Sequence, residues 1–187
     1  MKKITILMLA IASCFYCNVF AQTEAEQKAW MDYMTPGEIH KMLASSQGDW
    51  KAQVTLWMQP GAPPTTNTAT AKNEMILGGR YLQSTHKGDF MGMPFEGIGI
   101  TGYDNAAKKF ITTWIDNMGT GVMTLEGKWD GKTNSIEFKG KTTDPTTGKD
   151  VDVREVIKFV DNNNQVMEMY MKQGGKEFKT MEVKLTR

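Results

Sequence analysis

The stretch SSQGDWKAQVTLW, residues 45–57, is where the chain changes period. Upstream, from Thr23 to Gln47, apolar residues recur at helical spacing; downstream, from Asp49 to Arg187, they mostly alternate. In the run that starts at Asp49, Trp50, Ala52, Val54, Leu56 and Met58 share one face while Lys51, Gln53 and Thr55 share the other. That is the pattern of a strand with one side on a core. The last segment repeats it: Met181, Val183, Leu185 and Arg187 share a parity, opposed by Glu182, Lys184 and Thr186. If the sheet closes on itself these two strands become neighbours, and a guanidinium on Arg187 can stack on the Trp50 indole. Gly48, Trp50 and Arg187 are therefore the expected closure of one end.

Between these two runs, turn chemistry recurs at short intervals, from Pro60-Gly61 and Leu77-Gly78-Gly79 to Asp144-Pro145 and Gln173-Gly174-Gly175. About ten strands are predicted, at 49–58, 68–77, 80–87, 94–103, 108–116, 121–129, 134–142, 151–160, 164–172 and 176–186. Short connections imply an antiparallel up-and-down meander, and a sheet of that length removes its edges by closing. The fold class is thus all-β with a short N-terminal helical segment, the helical lead-in at 24–47 and a barrel at 48–187. Within the lead-in, Thr35-Pro36-Gly37-Glu38 reads as a capping box with proline at the first helical position.

The N-terminus, MKKITILMLAIASCFYCNVFA, has a basic start at Lys2 and Lys3, an apolar stretch and a small-x-small site at Val19-Phe20-Ala21. It is read as a signal peptide, residues 1–21, with export to the periplasm or outside after cleavage near Ala21. A lipid anchor on Cys14 is the alternative. Both cysteines, Cys14 and Cys17, fall in this segment, so the mature chain from Gln22 would carry neither disulfide nor thiolate. Removing Lys2 and Lys3 leaves 20 basic against 21 acidic residues. Such a balance gives no electrostatic reason to expect nucleic acid. The mature chain has no run of about 20 apolar residues that would span a membrane. Oligomeric state is not written in the sequence.

Several motifs, in order, carry a resemblance: Thr35-Pro36-Gly37-Glu38-Ile39-His40, Trp57-Met58-Gln59-Pro60-Gly61, Leu77-Gly78-Gly79-Arg80-Tyr81, Gly92-Met93-Pro94-Phe95-Glu96-Gly97, Gly102-Tyr103-Asp104-Asn105 and the run from Trp114 to Gly121. With Asp144-Pro145-Thr146-Thr147-Gly148, Arg154, Glu168-Met169-Tyr170 and Arg187 they resemble the domain of unknown function 1579 family. More distantly, helix, Gly-x-Trp, meander and terminal arginine resemble the calycin and lipocalin barrels. The resemblance implies a barrel of that kind, and no assigned activity comes with it.

Chemistry of other classes finds little footing. There is no Gly-x-Ser-x-Gly, and only His40 and His86 supply imidazoles. Glu38-Ile39-His40 is not a metal-ligand spacing, and the glycines at 97, 99 and 102 do not open a helix as a phosphate loop does. No cofactor is expected; some calycin relatives hold haem through a histidine at the barrel mouth, which makes His86 an alternative. The candidate ligand-binding residues are Arg80, Glu96, Tyr103, Trp114, Asp116, Arg154, Glu168 and Tyr170. Asp116 and Asn117 open a turn and can equally bond their own backbone. Arg154 and Glu168 fall on consecutive strands and can form an interior ion pair, architectural or ligand-orienting. Met167, Met169 and Met171 form a stripe of one parity, either core filling or an adaptable lining. The leading expectation is a non-catalytic protein that binds a small apolar or amphipathic molecule. The alternatives are an enzyme on a lipid-like or carbonyl substrate, using acid and base groups of the barrel mouth, and an envelope module whose barrel is filled by its own side chains.

Overall fold

A computed structural model describes residues 23–187. The expected signal peptide, with Cys14, Cys17 and the cleavage point, lies outside the described residues. Two compact units are present, one ending at Thr35 and the other running from Pro36 to Arg187.

Among its described residues the first unit presents one helix, α1 (Glu24–Met34). Its capping box joins Thr23 and Glu26: the Glu26 amide donates to Thr23 Oγ1 at 3.2 Å and the Thr23 amide to Glu26 Oε2 at 2.7 Å. Thr35, predicted to open the next helix, instead ends this one, its hydroxyl donating to the Met31 carbonyl at 2.6 Å. The capping box expected at Thr35–Glu38 is therefore corrected. Helix α2 (Glu38–Ala44) starts at Gly37, whose amide donates to His40 Nδ1 at 3.0 Å. His40 thus closes the first turn from within it, doing what a glutamate at the same position does in the usual box.

Ten strands follow: β1 (Gly48–Leu56), β2 (Thr65–Ile76), β3 (Tyr81–Phe90), β4 (Met93–Asp104), β5 (Lys109–Asp116), β6 (Met123–Asp130), β7 (Ser135–Thr143), β8 (Asp150–Asp161), β9 (Asn164–Gln173) and β10 (Lys176–Thr186). Each is antiparallel to its sequence neighbours, and β1 pairs with β10 as well as β2, which closes the barrel. The register sets Ala52 opposite Leu185 and Val54 opposite Val183, so the two apolar faces meet on the inside. In β10 a bulge at Thr180 interrupts the pairing with β9. The extra residue places Phe178 opposite Met171 and Met181 opposite Met169, both at inward positions.

Inside, glycines make room for rings. A Cβ on Gly127 would stand 2.5 Å from the Phe138 ring, and one on Gly97 would stand 2.3 Å from the Trp114 indole. Phe138, Leu125, Ile136, Phe110 and Leu43 are all but inaccessible and form one core cluster. A second joins Trp50, Ala52, Ala71, Val183 and Leu185. Among the described residues no helix is long and apolar enough to cross a membrane.

Candidate functional site

One end of the barrel is closed by the residues at which the sequence changes period. Trp50 is 2% exposed. Its Nε1 donates to the Ser46 carbonyl at 2.9 Å, and the Arg187 guanidinium stacks 4.4 Å from its ring. Arg187 also donates to the carbonyls of Gln47 at 2.6 Å, Ser45 at 3.1 Å and Asn162. The last strand is thereby tied to the turn before the first. Gly48, at φ 121°, takes a backbone shape in which side chains are strained, and a Cβ there would stand 3.5 Å from Arg187 Nη1. Beneath this closure, the Asn73 amide donates to the Ser46 carbonyl at 3.1 Å and the Gln165 amide to the Ser46 hydroxyl at 2.8 Å.

Above that floor the interior holds a cavity of about 310 Å³, at the lower end of the range of small-molecule sites, roughly 300–1,000 Å³. Its walls are mainly apolar. Met123, Met167, Met169 and Met181 contribute soft thioethers, and Val54, Leu56 and Ile157 fill between them. Toward the other end stand His86, Phe95, Trp114 and Asp116. Gly97 and Gly99, on the strand facing Trp114, let the indole lie flat against the backbone. Its Nε1 donates to Asp116 Oδ2 at 2.7 Å, while Asp116 Oδ1 accepts the Met118 amide at 2.9 Å. The His86 ring meets the indole edge-on at 5.3 Å. Burial lowers the His86 pKa from 6.5 to about 4, so the imidazole is neutral at neutral pH.

Of the eight residues singled out from sequence, Trp114 and Asp116 line this cavity. Tyr103 also points inward, but toward the closed end, packed on Phe110 at 4.9 Å and His40 at 6.2 Å. The other five are elsewhere. Arg80 sits in the turn after β2 and donates to the Leu77 carbonyl at 3.1 Å. Glu96 lies on the outer face with the Lys87 ammonium at 3.1 Å. Arg154 and Glu168 do not form the interior pair expected of them: both face outward and each has other partners. Arg154 holds Glu177 in a bidentate pair at 3.0 and 2.7 Å and covers the Tyr170 ring at 3.9 Å. Glu168 accepts from Lys158 at 2.7 Å and Lys179 at 2.9 Å, and these bonds, Lys158 first, hold its pKa down to about 2. Strand register gives the reason, since Arg154 stands opposite Tyr170 and Glu168 opposite Val156, all on the face away from the cavity.

Among the interior polar residues outside those eight, three stand out. His86 enters the sequence reading only as a haem alternative, and Gln165 does not enter it. The third is Glu155, 8% exposed, flanked on its own strand by Val153 and Ile157 at the inward positions. Among the described residues no hydrogen bond or ion pair engages its carboxyl group, and burial raises its pKa from 4.5 to about 7. Its signal was the alternation of 153–159, in which Val153, Glu155, Ile157 and Phe159 share a parity and Arg154 does not. Among the described residues no group of three or more His, Cys, Asp or Glu side chains gathers as a metal site.

The crystal structure of Rv2717c from M. tuberculosis is similar in fold, with a TM-score of 0.60 at 15% identity over 82% of this chain and 99% of that one. No curated protein matches the sequence. Residues 35–187, which include the whole barrel, match the family described as a protein of unknown function (DUF1579), and the chain belongs to that family.

Proposed function

We propose that this protein is an exported, non-catalytic binder of a small, largely apolar molecule, which it holds inside the barrel. The observation that carries this reading is the cavity of about 310 Å³ between the closed floor and the Trp114 end. A barrel filled by its own side chains would leave no such space. Four methionines on the wall suit a ligand of irregular apolar shape, because thioether side chains re-pack at small cost. An enzyme built on Glu96, Asp116, Arg154 and Glu168 is disfavoured, because three of those four groups project from the outer face and cannot reach a molecule in the cavity. Export rests on the first 21 residues of the sequence.

Thermal unfolding tests the binding reading. An apolar ligand that fits raises the midpoint with concentration as RT ln(1 + [L]/Kd). Small alcohols and alkanes that leave the midpoint unchanged up to their solubility would count against it. N-terminal sequencing of the protein from its own host is expected to begin at Gln22; a chain retaining Met1 would remove the case for cleavage.

A further inference from the structure

We infer that the cavity selects a lipophilic amine, with the ligand's ammonium group held by the Glu155 carboxylate and its hydrocarbon part against the methionine wall. The inference rests on the reading of the cavity as a binding site and adds the chemistry of the ligand's head group.

Three observations point the same way. The first is the sign of the charges: the cavity is lined by the carboxyl groups of Asp89, Asp116 and Glu155, and by no lysine or arginine among the described residues. A carboxylate ligand would find no cationic partner there, whereas an ammonium finds three acids. The second is the state of those acids. Asp116 is committed to Trp114 and Met118, and Asp89 accepts the Gly92 amide at 2.7 Å. Glu155 is more than nine-tenths buried and, among the described residues, has no partner. A buried carboxyl group without a hydrogen bond is costly, and the charge-assisted bond of an ammonium relieves that cost. The third is a second spare acceptor: Asn73 Oδ1 is buried in the same cavity's wall with nothing donating to it. Spare acceptors call for donors, and an ammonium carries up to three.

The immediate surroundings of Glu155 offer no competing charge. Its neighbours across the sheet are Phe138 on β7 and Met169 on β9, and the next inward positions are Ile136 and Met167. The other titratable groups on the cavity are His86, which is neutral, Asp89 and Asp116. At acid pH Glu155 carries a proton, so capture of an ammonium releases that proton to solvent. Above the point where Glu155 ionises, no proton need move.

The test compares decylamine, decanol and decanoate, equal in chain length, with the purified protein at pH 8. The amine is expected to bind at least about tenfold more tightly than either of the others, a factor typical of one charge-assisted bond. Glu155→Gln is expected to abolish that preference, bringing amine affinity down to that of decanol, while its cooperative thermal unfolding shows the barrel still folded. In the unaltered protein, amine affinity is expected to fall by up to about tenfold per pH unit below pH 7, as Glu155 must first lose its proton, while decanol affinity stays level. Equal or tighter binding of decanol or decanoate, or an amine preference that survives Glu155→Gln, overturns the inference and leaves the cavity as an apolar site. Failure of all three probes to bind overturns the binding reading and the inference with it.

Discussion

Two buried titratable groups give the protein a pH signature that can be read residue by residue. Glu155 has a raised pKa, so its contribution to stability is intact below 4.5 and is lost as pH climbs from 4.5 to about 7. His86 has a lowered pKa, so its contribution is intact above 6.5 and is lost as pH drops toward 4. Between about 4.5 and 6.5 the two slopes have opposite signs and nearly cancel. Glu155→Gln is therefore expected to expose a stability that rises with pH across this window. At pH 8 it is expected to stabilise the fold by on the order of 3 kcal/mol, the cost of ionising a buried acid. Urea unfolding at a series of pH values measures both, and parallel profiles for the two proteins would contradict the assignment. At Gly97 the space itself is tested: Gly97→Ala drives a methyl group to within 2.3 Å of the Trp114 ring, and displacement of the indole is expected to cost about 1–3 kcal/mol and to change its fluorescence.

At the scale of the element, strand parity decided what the sequence could yield. Alternation in 49–58 and 176–186 foretold the pairing of first and last strands, and the turn residues foretold ten strands to within a few positions. The Met167, Met169, Met171 stripe foretold the inner face of β9. Applied consistently, that stripe also places Glu168 and Tyr170 outside, and Val153, Ile157 and Phe159 place Arg154 outside and Glu155 inside. Arg154 and Glu168 drew attention as charged residues on neighbouring strands, yet charge without parity does not say which face a side chain takes. Whether interior space remained was beyond alternation, because the volume depends on how many rings the glycines admit. The outer face of β8, β9 and β10 now carries its own expectation. Glu168→Gln breaks two lysine contacts at a mostly buried carboxylate and is expected to cost about 1–2 kcal/mol. Arg154→Met loses an exposed pair and is expected to cost no more than ~1 kcal/mol. Neither is expected to alter ligand affinity, and a large loss of binding in either would return those residues to the site.

For the barrel from Pro36 to Arg187, one end is knotted and the interior above it is open. Arg187 joins the last strand to three carbonyls of the chain and to the Trp50 ring, so Arg187→Ala is expected to destabilise the barrel by about 1–3 kcal/mol while ligand affinity holds. Trp50→Ala removes a fully buried indole and is expected to cost about 3–5 kcal/mol. Loss of binding with no loss of stability in Arg187→Ala would place the ligand at the floor rather than in the upper cavity. The cavity between Ser46 and Trp114 is expected to take up an apolar guest. A fluorescence titration with N-phenyl-1-naphthylamine tests it most directly, in the unaltered protein and in Met167→Trp, which fills the cavity from its wall. Saturable enhancement of the dye and quenching of tryptophan emission are expected, with loss of both in the filled variant. Equal enhancement in the two proteins would place the dye on the surface and contradict that uptake.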